Sequence, residues 1–435
     1  MSTLRDSLNT EETKKKILFT FLIVSILSLL TLVPVPGLNR AAAISRVAGW
    51  GSVGLIIDIL SIKALENISI TSLGIYPFLV ASIVMQIVTL AVPKLRNLAQ
   101  AGDEGTKVIT KYTRIATIVS SVIFAVLYCV GMRGAVTGSL NFWVAIVICG
   151  ISVAVGSAFC GWCVELLNTK GIGDGLTIII VAGILRNIPF ELYKSFGNAS
   201  IFGPLSAVLF TFFIILLCAG ILFFIILINM GEKKLRIIFS KRTVGMKQYG
   251  MQNQVIPLKV TQAGITPIIY TLTVTLLPSS IIAMVIPGSD AAWATAWRNL
   301  PTSLSYIPFY IVFVVFFTYI FAMMQFNPFD MSNQIKQNGG YIQGIKPGKP
   351  TSQYLMALYN NLNTTDCAYL VLVSVVPMAL NAIPALNGIA FGGIALLLIG
   401  GGFIEMKTLL DNALKAEEDK LKQAGKDKRR KNYKK

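Results

Sequence analysis
Residues 205–228 read LSAVLFTFFIILLCAGILFFIILI, an apolar run without one charged side chain. As an α-helix rising about 1.5 Å per residue it is about 36 Å long, enough to cross roughly 30 Å of hydrocarbon. Lipid offers backbone N–H and C=O groups no water, so a span must be a helix or a closed barrel. The apolar residues are continuous rather than alternating, which rejects the barrel. Working outward, comparable runs lie upstream near Ile17–Val35, Ser72–Val92, Ile115–Val130, Phe142–Leu166 and Gly175–Ile188. Downstream they lie near Val260–Ile286, Ile307–Met324, Cys367–Ile383 and Ile389–Glu405. The expected fold class is an all-α polytopic membrane protein with ten transmembrane helices.

Composition agrees. Hydrophobic residues make up 54% of the chain and charged residues 13%, with a mean hydropathy of +0.69. A soluble chain of this length needs far more charge to cover its surface. The net charge of +18 sits between the apolar runs, so it reads first as orientation and contact with anionic lipids. Lys14, Lys15 and Lys16 precede the first run, and the tail ends in Lys428-Arg429-Arg430-Lys431 and Lys434-Lys435. Basic loops occupy 93–114, 229–259 and 326–366, whereas the intervening loops are poor in Lys and Arg. That alternation places both termini and the basic loops in the cytoplasm.

Three stretches depart from a plain bundle. Residues 39–70 are partly apolar but broken by glycines, Asp58, Lys63 and Glu66, which fits a half-inserted segment over protein or a water-filled cavity. Pro77, Gly183, Pro267 and Pro377 interrupt spans; such breaks either line a pathway or reflect how common Gly and Pro are in membrane helices. The loops after the sixth and eighth spans are long, and their basic, turn-rich sequence reads as a docking surface or as a solvated face.

Chemistry finds little support. The six cysteines fall in or at apolar runs, and Cys160-Gly161-Trp162-Cys163 has neither a second CxxC nor any histidine in the chain to complete a site. Small buried hydrophobes are the reading adopted. Gly171-Ile172-Gly173-Asp174-Gly175 lacks a strand before it and a Lys-Ser/Thr ending, so it reads as a tight turn with Asp174 near a helix N-terminus. The spans show almost no mid-membrane charge of the kind an ion-coupled transporter needs. No cofactor, metal or catalytic group is expected.

In order along the chain, certain residues resemble the SecY/Sec61-alpha family, whose bacterial members are channel subunits of the protein translocase. They are Pro34-Val35-Pro36-Gly37, Leu73-Gly74-Ile75-Tyr76-Pro77, Ala81-Ser82-Ile83 with Gln86, Tyr112-Thr113-Arg114, and Gly171–Gly175 with Ala182-Gly183-Ile184. Further on come Ala263-Gly264 with Pro267, Phe326-Asn327-Pro328, Gly339-Gly340, Gly344–Thr351 and Phe391-Gly392-Gly393.

The resemblance implies two pseudo-symmetric five-helix halves, 17–203 and 204–410, around a central pore. A cytoplasmic segment 1–16 precedes them and a basic cytoplasmic tail 411–435 follows. It implies a pore ring of Leu79, Ile83, Ile180, Ile184, Ile268 and Leu398, with Ile265 or Thr266 as other registers for the fifth position. Bulky aliphatic side chains seal by dewetting yet let any unfolded chain slide past. The segment 44–70, with Gly54, Ile57, Asp58 and Leu60, would be a plug. Gln86, Thr261 and Gln262 would be polar contacts of a lateral gate between the second and seventh spans. Lys233, Lys234, Arg236, Lys241, Arg242, Lys346 and Lys349 would dock cytoplasmic partners.

The implied partners are SecE-like and SecG-like small membrane subunits, a SecA-like motor ATPase, the ribosome, signal peptides and nascent chains, and anionic lipids. The implied place is the bacterial plasma membrane. Three departures from the family pattern are visible: Lys346 stands where Arg is usual, Thr261 where Asn is common, and Ser61–Glu66 lacks a glycine pair. A secondary transporter and a poreless scaffold or insertase are the competing classes. The first needs a midplane ion site, which is not found; the second needs no plug-like segment.

Overall fold
The computed structural model of the chain describes residues 11–100, 102–136, 141–200, 204–239, 242–244, 247–249, 253–261, 263–286, 291–300, 303, 305–325, 328–337, 339–381 and 399–402. These residues form two compact units. One gathers those within Met1–Tyr193, Leu276–Thr302 and Gly402–Lys435, the other those within Lys194–Thr275 and Ser303–Gly401.

The first unit opens with α1 (Glu11–Leu30), then two short helices, α2 (Arg40–Ala48) and α3 (Ser52–Leu60). Next come α4 (Tyr76–Ala91), α5 (Pro93–Gln100), α6 (Asp103–Gly131), α7 (Phe142–Lys170) and α8 (Gly175–Ser200), whose last residues run into the second unit. That unit continues with α9 (Pro204–Asn229), strands β1 (Glu232–Phe239), β2 (Arg242–Val244), β3 (Lys247–Tyr249) and β4 (Asn253–Lys259), and α10 (Thr266–Val285). From Leu276 onward α10 is grouped with the first unit, as is α11 (Ala292–Arg298). The second unit then holds α12 (Tyr306–Gln325), α13 (Pro328–Gln337), β5 (Gly340–Ile342) and α14 (Lys349–Asn381).

Among the described residues, four helices are long and apolar enough to cross a membrane: Glu104–Gly131, Phe142–Lys170, Thr266–Val285 and the one starting at Tyr306. The pair α4 and α5, bent by 106°, makes a fifth if counted as one broken span. The number ten remains an expectation from the sequence. α7 shows why such helices suit lipid. Ala145, Cys149, Val153 and Cys160 are buried on one face, while Trp143, Val147, Ile151 and Val155 are exposed on the other. A helix apolar on both faces belongs between protein and hydrocarbon.

The sequence analysis assigns no secondary structure to the loop after the sixth span. β4, β1 and β5 instead form an antiparallel sheet in that order, with Lys233 opposite Leu258 and Arg236 opposite Val255. Alternation explains it: Leu235 and Ile237 point inward to Ile335, Ile342 and Leu355, while Lys234 and Arg236 are exposed. The loop after the eighth span likewise shortens, because α14 already starts at Lys349.

Candidate functional site
Residues 40–75 fold as α2, α3 and a run of turns within the first unit. Asn39 caps α2, its side-chain oxygen accepting from the N–H of Ala41 at 3.1 Å and of Ala42 at 3.5 Å. On α3, Val53, Ile57 and Leu60 recur at the i, i+4, i+7 spacing and are almost wholly buried. Gly54 is buried as well. Trp50 is fully buried and meets Tyr128 edge-on at 5.9 Å. Each such apolar side chain contributes about 1.5–3 kcal/mol.

Polar contacts then fasten the segment. Arg186 of α8 donates from one nitrogen to the Thr31 hydroxyl (2.9 Å) and to the Ile62 carbonyl (3.0 Å). Arg298 of α11 donates to the Gly49 carbonyl at 2.8 Å. Gly183 allows close approach, since a Cβ there would collide with the Ile59 carbonyl oxygen. A narrow cavity lined by Leu60, Ser61, Ile62, Gly74, Ile75 and Ile179 joins the end of α3 to α8 and the start of α4.

The missing glycine pair has a visible cost. Ile62, Lys63 and Ile68 have φ of 57°, 61° and 52°. A left-handed residue with a Cβ costs about 1–2 kcal/mol, and β-branched residues fit worst. The Lys63–Glu66 ion pair, 3.3 Å long and half exposed, offsets little of this. Lys63→Gly is therefore expected to raise the stability of the first unit by about 1 kcal/mol. Thermal unfolding in detergent checks it, and a lowered midpoint would refute it.

Asp58 is half-buried, and its Oδ1 accepts the Glu66 N–H at 2.9 Å. Burial pushes its carboxyl above the ordinary value, Glu66's charge adds to this, and the Glu66 N–H and Lys63 pull against it. A raised carboxyl means that the folded segment favours the protonated form. This stabilisation is complete below the unfolded value and is lost as pH rises through the raised one. Asp58→Asn keeps the acceptor oxygen and removes the charge, so at neutral pH it should leave the first unit more stable than wild type. The two should converge as pH falls; thermal unfolding in detergent as a function of pH tests this, and parallel profiles would contradict it.

Of the expected pore-ring residues, Leu79 and Ile83 sit i, i+4 on α4 and Ile180 and Ile184 i, i+4 on α8, all buried in the first unit. Ile268 is buried in the second unit, as is Ile265, and Leu398 lies outside the described residues. Among the expected gate residues, Gln86 is half-buried and Thr261 buried, and Gln262 lies outside the described residues. A contact between α4 and α10 does appear elsewhere: the Tyr76 and Ser280 hydroxyls, both buried, share a hydrogen bond of 3.0 Å. The sequence reading missed it, because two hydroxyls 204 positions apart leave no local pattern.

The sequence analysis expects almost no charge in the central parts of the spans. Two charges stand nearer the span ends: Arg186 on α8, and Glu165 on α7, which accepts from Arg114 on α6 at 2.8 and 2.5 Å. A lone cation inside the apolar run 175–188 was the available signal for Arg186. Asp174 sits where the turn reading put it, with its carboxylate accepting the Thr177 N–H at 3.1 Å.

Of the docking candidates, Lys233, Lys234 and Arg236 are exposed on β1, Arg242 begins β2, and Lys241 lies outside the described residues. Lys346, on the turn before α14, and Lys349, the first residue of that helix, are exposed. Side chains pin that turn: Ser332 donates to the Gly348 carbonyl and Thr351 to the Lys346 carbonyl, both at 2.9 Å. Cys160 and Cys163 are buried free thiols, and among the described residues no three His, Cys, Asp or Glu gather as a metal site.

With this geometry in hand, known proteins can be compared. The SecY family model matches residues 69–406. The protein translocase subunit SecY of Corynebacterium glutamicum is 30% identical over 423 residues, covering 92% of this chain and 94% of that protein. The SecY subunit of Thermus thermophilus is 30% identical over 411 residues, covering 91% of each. A solved structure described as a protein-conducting channel matches with a TM-score of 0.60 at 18% identity over 92% of both chains. Sec61 in a canine ribosome–channel complex matches with a TM-score of 0.59 at 18% identity, again over 92% of both. A SecY structure reported for its plug domain matches with a TM-score of 0.63 at 19% identity over 92% of both. The chain belongs to the SecY family.

Proposed function
We propose that this chain is the protein-conducting channel of a Sec translocon in the bacterial plasma membrane, with both termini cytoplasmic. It passes unfolded secretory proteins across the membrane and releases transmembrane segments sideways into the bilayer. The family match over most of the chain carries this reading, and the buried re-entrant segment against α4 and α8 supports it. In this reading the segment 44–70 is the plug, and Leu79, Ile83, Ile180, Ile184, Ile268 and Leu398 form the seal. α4 and α10 part as the lateral gate, with Gln86, Thr261 and Gln262 as its polar contacts. The chain performs no chemistry; a SecA-like motor or the ribosome supplies the work. SecE-like and SecG-like subunits complete the assembly.

The test is reconstitution with a SecE-like subunit and a motor ATPase, followed by protease protection of a secretory preprotein. A correctly assembled complex that protects no preprotein would overturn the channel reading.

Docking is proposed for the exposed basic groups Lys233, Lys234, Arg236, Lys241, Arg242, Lys346 and Lys349. Long-range attraction from such charges speeds encounter with an acidic or RNA surface. Lys346→Glu should lower motor-driven transport about tenfold, chiefly through slower association. Assembly should stay intact, because the side chain is exposed while the turn is held by Ser332 and Thr351. Equal transport at matched protein levels would remove Lys346 from the docking surface.

A further inference from the structure
α10 starts abruptly after β4. Val260 donates its N–H to the Gly231 carbonyl at 2.9 Å, and α10 begins at Thr266. Gly264 makes the turn with a φ of +68°. Among the described residues nothing lies within 4 Å of where a Cβ would sit, so the left-handed backbone and not crowding calls for glycine. One residue earlier, Ala263 is wholly buried and its N–H is donated to the Oδ2 of Asp366 at 2.8 Å.

Asp366 reaches this backbone from α14, on which it is itself wholly buried. α14 is fixed to its neighbours around that point. Tyr359 donates to the Ala322 carbonyl of α12 at 2.5 Å, and Thr364 shares a hydrogen bond of 3.2 Å with Tyr319 of the same helix. Tyr369 accepts from Asn229 at the end of α9 at 3.0 Å. Burying a carboxylate is expensive unless it is bonded. Here one of its oxygens holds the backbone N–H of Ala263, one residue before the left-handed Gly264 that leads into α10. The pattern is that of an anchored post with a tether at a pivot.

We propose that Asp366 is a positioning residue: it ties the backbone of Ala263 to α14 and so fixes the angle at which α10 leaves the Gly264 pivot. The consequence for transport rests on the reading of α10 as a gate helix. With the tether intact, α10 is held in one orientation, and a passing segment must be strongly apolar to part the gate. Without it, rotation at Gly264 is easier and weakly apolar segments escape sideways.

The experiment uses the assembled, reconstituted complex and a substrate carrying a marginally apolar segment. Its readout is the ratio of inserted to translocated product, with hydrogen exchange at the Ala263 amide measured in parallel. Asp366→Ala should speed that exchange at least about tenfold and shift the ratio toward insertion by about tenfold, equivalent to about 1.4 kcal/mol. Asp366→Asn retains an acceptor oxygen and should stay within about twofold of wild type on both. A second variant leaves the side chain alone: replacing Ala263 by its α-hydroxy analogue removes only the N–H, and should shift the ratio as Asp366→Ala does. That ester variant decides the matter if Asp366→Ala fails to assemble.

An unchanged ratio in the ester variant, or Asp366→Asn behaving like Asp366→Ala, would overturn the proposal. A merely structural role would lower yield or thermal stability and leave the ratio alone. Should wild type neither translocate nor insert, the channel reading fails, while exchange at Ala263 still decides the tether.

Discussion
Arg186→Leu should raise the ion leak of vesicles carrying the assembled complex by about tenfold or more. One guanidinium nitrogen holds the Thr31 hydroxyl and the Ile62 carbonyl together, at 2.9 and 3.0 Å. Hydrogen bonds from a charged donor contribute about 1.5–3 kcal/mol each in buried surroundings, and this site is only partly buried, so about 2–3 kcal/mol for the pair is a fair magnitude. Because 1.4 kcal/mol is a tenfold change in population, the unseated form becomes about thirty- to a hundredfold more common. Part of that increase is masked wherever the unseated form is already populated at a few per cent. Leucine replaces the apolar stem but donates nothing. Thr31→Val removes one acceptor and should produce a smaller rise in the same direction. Leak is read as ion flux at equal protein content and without substrate. Wild-type flux in Arg186→Leu would mean that the Ile62 carbonyl needs no such donor, and the segment proposed as the plug would have to be held by apolar packing alone.

The second large effect is one of stability and asymmetry. Arg114 donates from both Nε and Nη2 to the same oxygen of Glu165. The glutamate side chain is 9% exposed and the arginine 55%. Removing the arginine strands a buried carboxylate, and such losses cost about 3–5 kcal/mol when the pair is fully buried. Since this arginine reaches solvent, Arg114→Leu should cost about 2–4 kcal/mol. Removing the glutamate leaves an arginine that can turn to water, so Glu165→Gln should cost about 1 kcal/mol or less. The double variant Arg114→Leu/Glu165→Leu should recover most of the loss, because two apolar side chains can replace a buried pair. Thermal unfolding of the four proteins in one detergent measures this cycle. Equal losses in the two single variants would show that burial of Glu165 does not set the cost.

Much of the helical frame was legible because hydropathy and span length act on whole segments. The strand α-to-β boundary was not. β1 reads EKKLRIIF, and its four charges drew attention away from the Leu235–Ile237 alternation that orders it. Its inward residues find Ile335 and Leu355 about a hundred positions later, so burial, which makes the strand, has no local signal. The same holds for the polar latches. Arg186 and Arg298 are isolated along the sequence and each donates to a backbone carbonyl, which any residue supplies. Asp174 could be placed from sequence because a helix cap is satisfied within three residues. The plug, ring and gate residues were named through family resemblance, and their burial alone would fit ordinary helix packing equally well.

The left-handed residues at the end of the re-entrant segment bear on speed. Ile62, Lys63 and Ile68 together place roughly 3–6 kcal/mol of backbone energy in the folded-back conformation. In the plug reading proposed above, leaving the seat would release that energy. Strain held in the seated state lowers the barrier to departure and does nothing to lower the barrier to return. That reading therefore expects a channel that answers an arriving substrate quickly and resets slowly.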